Sequence, residues 1–146
     1  MKKYQFVVGD VIEVGEHTLT RIIALRDITV GDKIIAKKGD LGGYIEREEN
    51  LSHRGGAWVA DDAKVYDHAW ICGNALVEGE AEVSSSAWVS SEAQIKDKAK
   101  VSGKSWISDT AQIKDSAQVS GGAWACNGIQ ITGDTQIIDG NWVYEL

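Results

Sequence analysis

From Ala57 to the last residue the chain divides without remainder into six-residue units, AWVADD, AKVYDH, AWICGN, ALVEGE and so on to NWVYEL, fifteen of them in ninety residues. The third position is aliphatic in fourteen of the fifteen, Ala125 being the exception, and the first is alanine in eleven. So strict a period dictates architecture before any single residue is considered, because each unit must repeat the same backbone course. Strand alternation in A-x-V-x turns the first and third side chains inward and the second and fourth outward. The last two positions hold Asp, Gly, Asn and Ser, residues that tolerate the left-handed backbone of a sharp corner. The expectation is an all-β chain winding round a prism, one short strand per side, each circuit hydrogen-bonded to the next.

The tryptophans set the number of sides. Trp70, Trp88, Trp106, Trp124 and Trp142 are each eighteen residues apart, which is three units. Three units per circuit closes a triangle, gives about five coils, and superposes these indoles in one outward column. Trp58 heads a second column continued by Leu76, Gln94, Gln112 and Gln130. Lys64, Glu82, Lys100, Gln118 and Gln136 form the third. With an aliphatic residue and a small one two positions before it, the units resemble the hexapeptide repeat of left-handed parallel β-helix proteins. The left hand is implied by that resemblance, since it runs against the general preference for right-handed crossovers.

Residues 1–56 lack the hexads and read as a small β cap, with strand-like segments at 4–8, 11–14, 19–25 and 33–36 separated by Gly-Asp and Gly-Glu turns. The expected division is 1–56 as cap and leader, and 57–146 as the repeat. Nine Lys and Arg balance nine Asp and Glu in the cap, so the net charge of −7 resides in the repeat. Within the leader, LGGYIEREENLS from Leu41 to Ser52 is the core of a resemblance to YdcK-like hexapeptide-repeat proteins, a transferase-type family, and to short proteins of phages and prophages. Chemically this stretch looks like the way into the prism. Gly42 and Gly43 permit a tight backbone, Tyr44 and Ile45 begin a strand, and Leu51 covers the open apolar end. The glycine pair lacks the following helix and lysine of a phosphate cradle.

The acidic balance argues against double-stranded nucleic acid and anionic lipid as partners. No stretch approaches the eighteen apolar residues of a membrane helix, and the N-terminal residues lack the apolar run of a secretion signal, so a cytoplasmic protein is expected, or a virion-associated one if phage-encoded. Cys72 and Cys126 read as ordinary thiols. The resemblance implies acyltransferases, in which a histidine base lies in a cleft between subunits with coenzyme A alongside. The weak catalytic candidates are His68, at a corner after Asp67, and His53 in the leader. Against an enzyme, the hexads follow one another with no inserted loop to build a pocket. His17, His53 and His68 lack the spacing of a three-histidine zinc site, so no metal and no cofactor is expected. Outward pairs such as Trp-x-Ser exclude an ice-binding Thr-x-Thr ladder.

The Trp column, flanked by Cys72, Ser90, Ser108, Cys126 and Tyr144, would expose more apolar area than a soluble monomer usually shows, which predicts a cover. Three covers are open: a homotrimer contact, as the resemblance implies; the cap folded back; or a glycan, nucleotide or host protein bound to the indoles. The sequence reading is a non-enzymatic structural or binding module, with an acyltransferase-like enzyme as its alternative.

Overall fold

The computed structural model describes residues 2–138 and the strand Trp142–Tyr144, the last as backbone only. It is a nearly all-β parallel solenoid of about five turns, with three sheets stacked along one axis. In each hexad the strand occupies the second and third positions, as in Trp58–Val59, Lys64–Val65 and Trp70–Ile71. Each pairs in parallel with the strand eighteen residues on: Trp70 with Trp88, Gln94 with Gln112, Glu82 with Lys100. The three predicted columns are therefore the three faces.

The interior is built from the first and third positions, with Ala63, Ala81 and Ala99 and Val65, Val83 and Val101 all buried. Where serine replaces alanine, Ser105 Oγ donates to the Ser102 carbonyl at 2.7 Å, so the hydroxyl is satisfied by its own corner. At the corners the fifth residue alone turns left-handed. From Asp61 to Gly133 every fifth position has φ between 56° and 72°. Most of those residues are not glycine, and their side chains show why. Asp61, Asp67, Asp97, Asp109 and Asp115 each accept, through Oδ2, the backbone N–H of the residue eighteen positions on, at 2.8–3.2 Å. The corner carboxylate caps the next corner.

The cap keeps the expected strand at 33–36, merges those at 4–8 and 11–14, and moves that at 19–25 to His17–Ala24. β1 (Tyr4–Val14) is one long strand, bulged between Phe6 and Val11, and pairs antiparallel with β2 (His17–Ala24). A second hairpin joins β3 (Ile28–Val30) to β4 (Lys33–Ala36). β5 (Leu41–Ile45) pairs antiparallel with β2 on one edge and parallel with Lys64–Val65 on the other, so the first hairpin extends one solenoid face.

The coil course also begins before Ala57. Tyr44 lies over Lys64, Leu51 bridges Ile71, and Trp58 lies over Leu76, so these three close a circuit. Gly43 starts a hexad in register with Ile45, the next side is entered through a 3-10 turn, Glu48–Asn50, with Glu49 exposed and Asn50 buried ahead of Leu51, and Gly55 and Gly56 are a two-residue step before the regular frame. Gly43 fills an alanine slot in which a Cβ would lie 2.5 Å from the Ala63 carbonyl oxygen. Trp58 was expected in an outward column. It holds the register but is buried, beside the Tyr4 ring and against Gly42, because the cap covers this coil.

Candidate functional site

The tryptophan column is the feature that the repeat builds most deliberately. Trp70, Trp88, Trp106 and Trp124 stack face to face with ring centroids 5.2, 4.8 and 4.6 Å apart and planes within 18° of parallel. The coil spacing of about 4.8 Å falls in the range aromatic rings prefer, so equal rings on successive coils cover one another. The stack corrects the expected exposure. Trp70 is 43% exposed and Trp88 36%, while Trp106 and Trp124 are partly buried. The four rims together leave on the order of 300 Å² of indole open, within what a soluble monomer tolerates. The side chains of Trp142 and Tyr144 lie outside the described residues.

The flanking column supports the rings. Trp88 Nε1 donates to Cys72 Sγ at 3.1 Å. Burial raises the Cys72 thiol pKa, opposed by that bond, in which the sulfur is the acceptor. Trp106 Nε1 is shielded without a hydrogen bond among the described residues. Throughout Trp70–Cys126 the two outward columns of this face, Trp and Cys or Ser, carry no charge. The other two faces carry Lys64, Glu82 and Lys100, and Glu78, Lys96 and Lys114. The cap meets the ladder's sheet at its first coil, where Leu51 bridges Ile71 and the Ser52 N–H donates to the Ile71 carbonyl, and its other described contacts include Trp58 and the Lys64 face.

The histidine candidates are placed apart from any reactive pairing. His68 is exposed at its corner, and its ring has no hydrogen-bond partner among the described residues. The His53 ring stacks on Tyr4 at 4.2 Å, and its Nδ1 accepts the Lys3 backbone N–H at 3.1 Å. Burial first, with Lys3 and Lys2 adding, holds His53 below the usual histidine pKa against the pull of Glu48. It is a packed ring at the capped end, with Nε2 3.9 Å from Glu48 Oε2. Lys3 is buried beside it and donates through Nζ to the carbonyl of Ala57 at 2.5 Å, at the Gly55–Gly56 step.

Tyr44 is held by Arg21. The guanidinium lies 4.3 Å over its ring, donates to its hydroxyl oxygen at 2.7 Å and to the Gly42 carbonyl at 2.8 Å, and pairs with Asp10 and Asp62. Gly42, Gly43 and Tyr44 thus sit where the cap meets the first coil. An open groove of about 580 Å³ runs beside them, lined by Ile12, Tyr44, Lys64, Glu82 and Lys100 among others, with no histidine in it.

One cluster escaped the sequence reading. His17, Glu46 and Asp67 bring ligand-type atoms within 4.8 Å of one another. His17 Nδ1 lies 3.0 Å from Glu46 Oε2, and Nε2 lies 3.2 Å from Asp67 Oδ1. Each ring nitrogen already has its own carboxylate, the arrangement of a doubly paired imidazolium. The three residues come from the hairpin, the leader and the second corner, so no local pattern announces them.

No protein-family model matches the chain, and no curated protein matches its sequence. No described helix is long and apolar enough to cross a membrane.

Proposed function

We propose that the protein is a non-enzymatic scaffold that self-associates through its tryptophan face, as a trimer of parallel prisms in the manner of the left-handed hexapeptide-repeat proteins its units resemble. The observation that carries this reading is the stacked four-indole ladder on the one solenoid face whose outward columns hold no charge in Trp70–Cys126. A flat, uncharged, aromatic strip costs little to desolvate, and closed symmetry lets each copy present the same strip. Self-stacking weighs against a glycan or nucleotide platform. The indole planes a sugar or base would stack on already face one another, and solvent meets mainly their rims. The structural roles of His53 and the unpartnered ring of His68 support the non-enzymatic part. The resemblance of the leader to YdcK-like and phage proteins suggests a cytoplasmic or virion-associated setting.

Sedimentation velocity over a range of concentrations tests the assembly. The expected species has three times the mass of the 15.8 kDa chain, and Trp106→Lys is expected to reduce it to one. Circular dichroism checks that the variant retains its sheet. A wild-type chain that stays monomeric at high concentration, or a folded Trp106→Lys variant of unchanged mass, would refute the reading.

A further inference from the structure

Tyr4 anchors the root of the β1–β2 hairpin through its hydroxyl's bonds to the Glu48 and Leu51 carbonyls, and two side chains of β2, different in kind, hold the rest. Arg21 holds the middle and keeps its charge at any pH a protein meets. His17 holds the tip, and its charge is conditional. His17 pairs with Val14 across the Gly15–Glu16 turn. Its ring reaches Glu46 of the leader through Nδ1 and Asp67 of the second corner through Nε2. The tip has thereby two attachments on two elements, both through one imidazole.

The chemistry of the ring makes those attachments interdependent. An imidazolium offers two N–H donors, one for each carboxylate. A neutral imidazole offers one donor and one lone pair, so one carboxylate must then face a lone pair. Neither carboxylate is free to turn away. Glu46 Oε1 accepts the Asp67 backbone N–H at 2.7 Å and pairs with Arg47 at 3.3 Å, while Asp67 Oδ2 accepts the Ser85 N–H at 3.2 Å. Around the ring stand Glu16 from the turn, Glu46 and Arg47 from the leader, and Asp67 and Tyr66 from the corner. The Tyr66 ring lies 5.0 Å away, and its hydroxyl leads to Glu82 of the next coil.

We propose that His17 is a proton-operated clasp. With both nitrogens protonated it ties the hairpin tip to the first coil. On losing one proton it releases one of its two carboxylates and frees the tip, while Arg21 keeps the middle of the hairpin in place beside the Tyr44 groove and Tyr4 keeps its root. The surroundings favour the charged form: the Glu46 hydrogen bond raises the His17 pKa most, and the charges of Asp67, Glu46 and Glu16 add to it against the cost of burial. A raised pKa in the folded state means that the clasp's contribution is complete below the ordinary histidine pKa. It is lost as pH rises through the raised value.

The test is a ¹⁵N NMR titration of the full chain, following the His17 ring nitrogens together with the heteronuclear NOE of Gly15 and Glu16. The expected midpoint lies above the ordinary value of about 6.5, and the two turn amides gain mobility over the same pH interval. In His17→Gln their mobility is expected to be high at every pH, with the β1–β2 cross-strand NOEs retained. The wild-type titration decides the matter even if that variant fails to fold. A midpoint at or below the ordinary value, a turn whose mobility ignores the titration, or the same pH response in His17→Gln would overturn the clasp. So would Zn²⁺ added at constant pH that displaces the ring protons and stiffens the turn further, which would make the cluster a metal site.

Discussion

Replacing Asp115 in turn by alanine, glycine and asparagine separates the two tasks of a corner residue. The position is left-handed, with φ 60°, and its Oδ2 accepts the Gly133 N–H one coil on at 2.9 Å. The side chain is exposed. Water therefore competes for that N–H, and losing the bond costs about 1 kcal/mol. Alanine also meets the Cβ penalty of the left-handed region, about 1 kcal/mol, which glycine escapes and asparagine largely avoids. The expected destabilisation is thus about 2 kcal/mol for Asp115→Ala, about 1 kcal/mol for Asp115→Gly, and under about 0.5 kcal/mol for Asp115→Asn, which keeps an acceptor and a tolerant backbone.

Urea denaturation followed by far-ultraviolet circular dichroism gives the order. Repeat arrays can open from one end, so native-state hydrogen exchange provides the local reading. Exchange at Gly133 should quicken in the alanine and glycine variants. Exchange at residue 115, whose own N–H donates to Asp97 Oδ2 at 3.1 Å, should hold. Equal losses for alanine and glycine would remove the backbone half of the reasoning, and unchanged Gly133 exchange would remove the hydrogen-bond half.

Trp106→Ala deletes a ring stacked at 4.8 and 4.6 Å on its two neighbours. At about 0.5–1.5 kcal/mol per pair it should destabilise by roughly 1–3 kcal/mol and weaken the indole exciton signal in circular dichroism, with Trp70 and Trp88 still stacked; an unchanged spectrum would show that the ladder is not stacked in solution. Gly43→Ala forces a Cβ to within 2.5 Å of the Ala63 carbonyl, which accepts the Tyr44 N–H, so a loss of about 2 kcal/mol or more is expected in thermal melts. Lys3 has its pKa lowered by burial, with Arg26 adding, from 10.5 to about 8. The unfolded chain therefore binds more protons between those values, and wild-type stability should rise with pH across that window. In Lys3→Met that part of the rise should vanish, and parallel pH profiles for the two proteins would refute the assignment.

What was legible in the sequence is what repeats. The eighteen-residue interval of the tryptophans and the Ala-x-Val spacing imply three faces and a dry interior, because the same backbone course puts the same positions on the same side. The same pattern overstates the exposure of the rings, because each indole covers its neighbour. At the coil spacing, identical side chains meet each other before they meet solvent. The aspartates obey the same rule: a carboxylate at one corner finds the backbone N–H of the next, which is why a charged residue can occupy a left-handed position so often in this chain.

The illegible part is where the period fails, and there the physical reasons differ residue by residue. The first circuit was hidden because Gly43 stands in an alanine slot, Asn50 turns inward to the Asp67 and Ala69 carbonyls, and the Gly55–Gly56 step shifts the frame by two. Trp58 has the outward register of its column, yet it is buried because the cap lies over that coil. Lys3 from just before β1, and His17 and Arg21 from β2, lie outside the repeat and meet their partners at sequence distances that no spacing argument encodes. Side chains in the regular coils are largely satisfied by their own copies above and below. The aperiodic ones are satisfied only by the junction between cap and first coil, so a change there alters how the hairpin is held while the regular coils keep their register. That difference makes the His17 clasp separable by experiment from the stability of the solenoid it grips.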